Sequence, residues 1–382
     1  MRISSNFDGG NIEVVNAEVA SDIQLTIKKD NGSDFFQWFY FRVEHPAFIT
    51  QNITISGLKE SAYPDAWDGY QAVASYDREE WFRVESRYDE GSLHIQHTPE
   101  HQTIYYAYFA PYSYDRHLDL LAWAQSQFQC SSMHLGETLD GRDMTALKIG
   151  FGEASESDDN TDKKVVWITA RQHPGETMAE WLVEGLLERL LDADDPMSTS
   201  LLDKAVFYVV PNMNPDGSVR GHLRTNAIGI NLNREWHDPQ ELRSPEVFYV
   251  LKEMEKTGVD LFLDIHGDEA IPYNFLAGSE GNSSYTDRLA ALEKQFSDAL
   301  LVITPEFQDK EGYPKEEKGT ANMTVATNAM ADKFDCLAFT LEMPFKDNDG
   351  LPDPAYGWSP YRSKQLGQDL LVAVHQVMNN LR

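Results

Sequence analysis

Cysteine is nearly absent from this chain. Only two of its 382 residues are cysteines, Cys130 and Cys336, and they lie far apart in the sequence. They form no CxxC pair, so the sequence indicates neither a disulfide framework nor a thiolate metal site. Free cysteine is among the most buried residue types, and two buried thiols are the simplest interpretation.

Positive charge is also scarce. The chain has 32 Lys and Arg residues against 62 Asp and Glu residues, which gives a formal net charge of -30. Nucleic-acid binding needs clustered positive charge, so this composition excludes a nucleic-acid partner. A surplus of carboxylates is typical of a solvated surface that favours solubility.

Long hydrophobic runs are missing as well. No stretch approaches the roughly 20 apolar residues of a membrane helix, and the first residues, MRISSNFDGGN, contain no apolar core of a secretory signal. We therefore expect no membrane partner and a cytoplasmic location. The sequence does not indicate an oligomeric state.

Two kinds of pattern divide the chain. Residues 1–114 contain short aromatic and β-branched segments, such as 37–43 and 103–109, separated by turn-like clusters such as 29–34. This spacing predicts an antiparallel β-sandwich. Residues 115–382 open with a helical pattern, for which Asp115 is the expected cap, and then alternate strand and helix. We expect an α/β/α domain with a mixed central sheet, in which the acidic run 153–162 is a solvated loop.

The strongest chemical pattern begins with the predicted strand 163–170. It is followed by His173-Pro174-Gly175-Glu176 and then by a predicted helix from Glu176 to Leu191. His173 and Glu176 are three residues apart, so one turn can direct both at the same metal ion. On its own, this HxxE pattern also occurs by chance.

Two further groups end predicted strands. His266 follows 261–265, and Glu342 follows 336–341. Ligands of open α/β sheets bind at the carboxyl ends of strands, so His266 can complete a His₂Glu zinc set with an open position for water. Glu342 is a candidate base for that water, or else a carboxylate that reaches solvent. Asp264 and Asp268 are either groups that orient a ligand or turn residues.

A loop-rich span supplies cationic groups. It runs from Asn214-Pro215-Asp216-Gly217 to Trp236 and contains Arg220, Arg224 and Arg234. Arginine binds carboxylates and stabilises oxyanions, although solvated arginines in a surface loop would give the same pattern.

These elements, in this order, resemble the zinc carboxypeptidase superfamily, and most closely its cytosolic carboxypeptidase branch. The resemblance implies that His173, Glu176 and His266 bind one Zn²⁺ and that Glu342 is the general base. It further implies roles for five more residues in oxyanion and substrate binding. These are Arg224 for the oxyanion, Asn233 and Arg234 for the terminal carboxylate, and Arg171 and Thr327 as residues that line the site.

The chain departs from the family pattern at several positions. Asn231 replaces an Asp that often supports a ligand histidine, and residues 319–322 read GTAN where the branch has GTGR. Thr327 stands where a basic residue is expected. A counterpart of the mobile tyrosine of the pancreatic enzymes is not evident in the sequence.

The predicted function is zinc-dependent removal of the C-terminal residue from a peptide or protein, with glutamate as the residue that the branch implies. Because Thr327 supplies no charge, we expect weaker selectivity for glutamate. One alternative is an amidohydrolase of the same superfamily that acts on small N-acyl amino acids. The other is a catalytically inactive binding module.

Overall fold

The computed structural model describes residues 1–151 and 163–382, so the acidic run 153–162 lies outside the described residues. The strands are β1 (Arg2–Ser4), β2 (Glu13–Val19), β3 (Asp22–Thr26), β4 (Tyr40–Glu44), β5 (Gln51–Ser56), β6 (Val73–Ser75), β7 (Phe82–Arg83), β8 (Ser86–Asp89), β9 (Ser92–His97), β10 (Thr103–Ala107), β11 (Cys130–Glu137), β12 (Asp143–Ile149), β13 (Lys164–Ala170), β14 (Ala205–Val210), β15 (Leu261–Asp268), β16 (Phe275–Ala277) and β17 (Leu337–Pro344). The α-helices are α1 (Tyr114–Gln125), α2 (Met178–Leu190), α3 (Pro196–Lys204), α4 (Pro215–Arg220), α5 (Pro245–Thr257), α6 (Asp287–Ile303), α7 (Ala326–Phe334) and α8 (Pro360–Val377).

The N-terminal part contains two five-stranded sheets. Their strand orders are β1-β4-β10-β6-β7 and β2-β3-β5-β9-β8. Every pairing within them is antiparallel except β3 with β5, which is parallel. Alternate residues of β5 are buried, as expected for a strand with one face on a core, and side chains of both sheets share that core. The predicted antiparallel sandwich is confirmed, with this one parallel pair added.

Helix α1 follows the sandwich, as the sequence predicts. Its cap is Ser113, whose hydroxyl accepts a hydrogen bond from the Arg116 amide at 3.1 Å. The expected cap, Asp115, is instead the second residue of the helix. Ser and Asp are both favoured at this position, so composition alone does not choose between neighbours.

The remaining chain folds around a seven-stranded mixed sheet. Its order is β11-β12-β14-β13-β15-β17-β16, with β14, β13, β15 and β17 parallel to one another. Helices α2, α6 and α8 pack on one face, and α5 and α7 on the other. Strands β14, β15 and β17 are almost wholly buried, which explains why they appear in the sequence as continuous apolar runs. The predicted α/β/α architecture is confirmed.

Two smaller expectations concern the cysteines and the membrane. Cys130 is half-buried, Cys336 is buried, and both are free thiols. Among the described residues, the helices are all too short or too polar to cross a bilayer.

Candidate active site

The carboxyl ends of β13, β15 and β17 lie side by side at one edge of the mixed sheet. This is the edge at which open α/β sheets bind their ligands. Strand β13 ends at Ala170, and the turn that leads into α2 carries His173 and Glu176. Strand β15 carries His266, and β17 carries Glu342 directly opposite it in the parallel register. The fold thus brings together four residues from distant parts of the sequence.

Glu176 lies between the two histidines. His173 Nδ1 is 2.6 Å from Glu176 Oε1, and His266 Nδ1 is 2.7 Å from Glu176 Oε2. The Gly267 amide donates a further hydrogen bond to Oε2 at 3.1 Å. All three side chains are buried, with at most 3% of each residue exposed. Their Nδ1 atoms and carboxylate therefore converge on one protected point.

The far nitrogen of each histidine has its own partner. His173 Nε2 lies 3.0 Å from Asn231 Oδ1, and His266 Nε2 lies 2.8 Å from Asp264 Oδ2. These contacts favour tautomers in which Nε2 carries the proton and Nδ1 offers its lone pair to a metal. Asp264 thus contacts a candidate ligand, as one of the two alternatives left open by the sequence expects.

The two imidazoles differ in charge environment. Burial lowers the pKa of His173 to about 4, and the nearby Arg224 acts in the same direction. Burial also acts to lower the pKa of His266, but the Asp264 and Glu176 carboxylates outweigh it and raise that pKa well above its usual range. The partner of His173 Nε2, Asn231, is uncharged, whereas the partner of His266 Nε2 is the carboxylate of Asp264.

The residues present fit a zinc ion. The ligand atoms of His173, Glu176 and His266 lie within 4.8 Å of one another. Two imidazoles and one carboxylate form the donor set of catalytic zinc sites, in which a fourth position stays open for water. Beside them, Glu342 Oε2 is buried without a hydrogen-bond partner, an arrangement that is costly unless a group absent from the protein chain supplies one.

Glu342 is a buried carboxyl group held by a tyrosine. Burial raises its pKa to about 8, which places its protonation near neutral pH. The Tyr313 hydroxyl lies 3.1 Å from Glu342 Oε1 and 2.8 Å from Asp268 Oδ2, so it bridges the two carboxylates. Asp268 also accepts hydrogen bonds from two amides of the following turn, and therefore combines a turn role with the contact to Tyr313.

A cavity of about 1030 Å³ opens in front of the metal ligands. Arg224, Asn233 and Arg234 lie along it, in the segment that the sequence identified as rich in cations. The Arg234 guanidinium donates to the Asn233 carbonyl at 2.6 Å, and Asn233 Oδ1 accepts from the Ala326 amide at 2.8 Å. Burial and the neighbouring Arg224 charge lower the pKa of Arg234, so an anion bound between the two guanidinium groups would be stabilised.

Thr327 and Arg171 have different surroundings. Thr327, at the start of α7, lines the cavity, and its hydroxyl is 2.7 Å from that of Thr340. Arg171 does not line the cavity. It is 3% exposed, and its guanidinium pairs with Glu180 at 2.7 Å and donates to the Tyr112 carbonyl at 2.9 Å. The structure brings every predicted site residue to one cavity except Arg171.

Sequence reasoning missed Tyr313. It lies in a long polar connection between α6 and α7, which carries no motif and no regular spacing relative to Glu342. Only its contact with Glu342 identifies it.

A buried His₂Glu set with an adjacent carboxyl group, at the carboxyl edge of a mixed sheet, is the site of a metallohydrolase. The zinc carboxypeptidase family matches residues 115–366, and the cytosolic carboxypeptidase N-terminal domain matches residues 3–109. The chain belongs to the zinc carboxypeptidase family, and it is a metallocarboxypeptidase.

Solved structures of bacterial proteins resemble the whole chain. A metallo-carboxypeptidase from Pseudomonas aeruginosa, solved in complex with (2-guanidinoethylmercapto)succinic acid, is 48% identical with a TM-score of 0.96, and all of each chain is covered. A metallo-carboxypeptidase from Burkholderia cenocepacia is 46% identical with a TM-score of 0.94, and 98% of each chain is covered. Cytosolic carboxypeptidase 6 of Mus musculus is 27% identical over 72% of this chain, which corresponds to 54% of the mouse protein. The chain thus spans about half the length of this mammalian relative.

Proposed function

We propose that the protein hydrolyses the C-terminal peptide bond of peptides, with one Zn²⁺ per chain bound by His173, Glu176 and His266. The observation that carries this proposal is the single cavity that holds these ligands, the unpartnered Oε2 of Glu342 and the guanidinium of Arg234. A hydrolytic centre and an anion site in one cavity suit a substrate that ends in a carboxylate. Membership of a family of zinc carboxypeptidases supports the choice of metal.

Glu342 is the proposed general base. A zinc ion held by His173, Glu176 and His266 would acidify a water molecule and polarise the scissile carbonyl. Glu342 accepts a proton from that water and later delivers it to the leaving amine. Tyr313 keeps the Glu342 carboxyl group in place through Oε1 and leaves Oε2 directed at the reaction.

The cations of the cavity have two proposed tasks. Arg224 donates hydrogen bonds to the oxyanion that forms at the scissile carbonyl. Asn233 and Arg234 bind the terminal carboxylate, and an Arg–carboxylate pair adds geometric specificity as well as energy. An internal peptide bond offers no carboxylate there, so the enzyme acts at chain ends.

We further propose that terminal glutamate is not selected. The Thr327 hydroxyl is already paired with Thr340, and the cavity is lined by ten Asp and Glu residues against five Lys and Arg residues. One of those carboxylates, on Glu293, accepts hydrogen bonds from the Tyr285 hydroxyl and the Ser279 amide and, among the described residues, forms no close ion pair with Lys or Arg. A cavity with this surplus of carboxylates favours a substrate whose last side chain is neutral or cationic over one whose last side chain is a carboxylate. The P. aeruginosa relative, 48% identical, was solved with (2-guanidinoethylmercapto)succinic acid, which carries a guanidino group.

Matched peptides that differ only in their last residue test this specificity. We expect peptides ending in Gln, Leu or Lys to be hydrolysed at least as fast as one ending in Glu. N-acyl amino acids with the same last residues serve as the comparison, and faster hydrolysis of these compounds would identify an amidohydrolase instead. A strong, salt-sensitive preference for Glu would contradict the proposed pocket.

The domain boundary and the location are also proposals. We place the β-sandwich at residues 1–114 and the catalytic domain at 115–382. The family matches at 3–109 and 115–366 and the start of α1 at Tyr114 support this division. Relationship to cytosolic carboxypeptidases supports a cytoplasmic location.

A further inference from the structure

One loop of the N-terminal sandwich packs against the segment that carries the cavity residue Arg224. Residues 28–35, here called the clamp loop, connect β3 to β4 and lie against the segment 220–230 of the catalytic part. This segment carries Arg224 but contains no strand of the central sheet. Its position therefore depends on contacts other than the strand ladder that fixes His266 and Glu342.

Asp30 makes the most concentrated of these contacts. Its Oδ1 accepts a hydrogen bond from the Leu223 amide at 2.7 Å. Its Oδ2 accepts from the Arg224 and Thr225 amides, each at 2.9 Å, and from the Thr225 hydroxyl at 3.0 Å. Asp30 is 3% exposed, so these bonds form in a water-poor setting where charge-assisted hydrogen bonds are strong. A single carboxylate of the sandwich thus binds three consecutive amides around Arg224.

The Arg224 side chain is also held by the sandwich. Its guanidinium carbon lies 5.6 Å from the ring centre of Phe35 and 5.6 Å from that of Tyr63, both within cation–π range. The aromatic faces orient the guanidinium without occupying its N–H donors. Among the described residues, no protein oxygen accepts a hydrogen bond from that group, which leaves its donors directed at the cavity.

The backbones of the two segments approach closely nearby. A Cβ at Gly32 would lie 2.7 Å from the Ile228 carbonyl oxygen, and one at Gly229 would lie 2.5 Å from the Gly32 carbonyl oxygen. Both glycines also adopt positive φ, 66° and 91°, which other residues rarely do. Asn31 adds side-chain contacts to His222 and Arg220. The clamp loop therefore fits its partner over the whole length of the segment.

We infer that Asp30 is a positioning residue for the hydrolysis, and that the N-terminal sandwich completes the active site by holding Arg224 toward the oxyanion. This inference rests on the proposed role of Arg224. By this inference the sandwich contributes to catalysis by holding Arg224, although the three proposed zinc ligands all lie in the other part of the chain. Loss of Asp30 should lower kcat and leave KM nearly unchanged, because an oxyanion forms only along the reaction path.

The test compares Asp30→Ala and Arg224→Ala, singly and together, on one peptide substrate with the zinc-loaded enzyme. Removal of one oxyanion donor typically lowers kcat by about 10²–10³-fold, and we expect Arg224→Ala to fall in that range. Asp30→Ala should lower kcat by about 10-fold or more, and it should cause no further loss in the Arg224→Ala background. Additive losses, or a change in KM alone, would overturn the inference.

Amide hydrogen exchange provides a readout that does not depend on turnover. In Asp30→Ala the amides of Leu223, Arg224 and Thr225 should lose protection while those of β15 keep theirs. Asp34→Asn is the matched control, since Asp34 belongs to the same loop but its side chain is 97% exposed. Unchanged protection of the three amides in Asp30→Ala would contradict the positioning role.

General destabilisation needs its own control. Leu25→Ala removes a fully buried side chain from the sandwich core without touching the clamp loop. It should lower the melting temperature and leave kcat unchanged at a temperature where the protein is folded. If Asp30→Ala does not fold, Phe35→Leu carries the test, and it should lower kcat without changing zinc content.

The outcomes separate two failures. If Arg224→Ala hydrolyses the peptide as fast as the parent, the proposed role of Arg224 is wrong. If Arg224→Ala is slow but Asp30→Ala and Phe35→Leu are as fast as the parent, only the role of the sandwich is wrong.

Discussion

The two sides of the catalytic cavity are built by different means. On the strand-borne side, His266 and Glu342 stand opposite each other on adjacent parallel strands, and the backbone ladder fixes their separation. On the loop-borne side, Arg224 and Tyr313 stand on irregular segments that side-chain contacts hold in place. The geometry of one cavity can thus rest on the core of the fold on one side and on a few polar contacts on the other. Substitutions near the second side should therefore change kinetics without unfolding the protein.

The largest effect is expected on the strand-borne side. His266→Ala removes one of the three proposed ligands, so the protein should lose most of its zinc and nearly all activity. The fold should persist, because both parts have extensive cores that do not include this side chain. Metal analysis after dialysis, together with circular dichroism, measures both expectations. Full zinc content in the folded variant would show that His266 is not a ligand.

Glu342→Gln should separate metal binding from chemistry on the same side. The amide keeps the shape of the side chain but cannot accept the proton of water, and such groups contribute roughly 10²–10⁴-fold to the rate. We expect kcat to fall within this range while zinc content stays at one per chain. Glu80→Gln, which changes an exposed carboxylate of the sandwich, serves as the control. Near-parent activity of Glu342→Gln would remove this residue from the role of base.

A smaller effect is expected from Tyr313→Phe on the loop-borne side. The substitution removes the hydroxyl that bridges Glu342 and Asp268 and leaves the ring packed at 4.9 Å from Phe275. We expect kcat to fall by about 10-fold, the size expected for one lost hydrogen bond of roughly 1–1.5 kcal/mol. Steady-state kinetics across pH 6–9 measure this change. A loss as large as that of Glu342→Gln would show that Tyr313 takes part in proton transfer itself.

The smallest effect on activity is expected at Glu246, which contacts Asn226 in the segment that carries Arg224. Its substitution should change stability rather than turnover. Burial raises the pKa of Glu246 to about 8, and the Asn226 side-chain amide, 3.4 Å away, opposes the shift only in part. The folded protein therefore holds a proton that the unfolded chain releases near the ordinary pKa of 4.5. Stability contributed by this group falls as pH rises from about 4.5 through about 8.

Glu246→Gln removes this titration. Relative to the parent, the variant should gain about 5 kcal/mol in free energy of unfolding at pH 9 and little at pH 4.5. Urea unfolding at the two pH values measures the difference. Glu255→Gln, on the same helix but half-exposed, should show no such dependence. An equal gain for Glu246→Gln at both pH values would mean that titration is not its cause.

The strand-borne side was largely predictable from the sequence. Buried parallel strands leave continuous apolar runs, and a polar residue that ends such a run marks the functional edge of the sheet, as His266 and Glu342 do. The sandwich and the mixed sheet followed from strand length and turn spacing, although the parallel pairing of β3 with β5 left no local signal. The sandwich, the mixed sheet and the residues that end the strands of that sheet follow from patterns of neighbouring residues, and such patterns can be found in a single sequence.

The loop-borne side was less predictable. The family resemblance placed Arg171 and Arg224 at the site alike, yet Arg171 turns into a buried pair with Glu180. Its side-chain direction depends on an α2 residue that no spacing rule connects to it. The contacts of Tyr313 and Asp30 likewise join segments distant in the chain. Such contacts leave no local pattern in the sequence, because the residues that make them meet only in the folded structure.

The proposed carboxylate site formed by Asn233 and Arg234 should restrict this metallocarboxypeptidase to free chain ends. The most direct measurement follows hydrolysis of one peptide in two forms, with a free C-terminal carboxylate and with a C-terminal amide, by the parent and by Arg234→Ala. We predict that the parent cleaves the free acid at least about 100-fold faster than the amide, and that Arg234→Ala removes most of this difference. Equal cleavage of acid and amide by the parent would show that the enzyme does not require a free chain end. An unchanged difference in Arg234→Ala would show that Arg234 does not bind the terminal carboxylate.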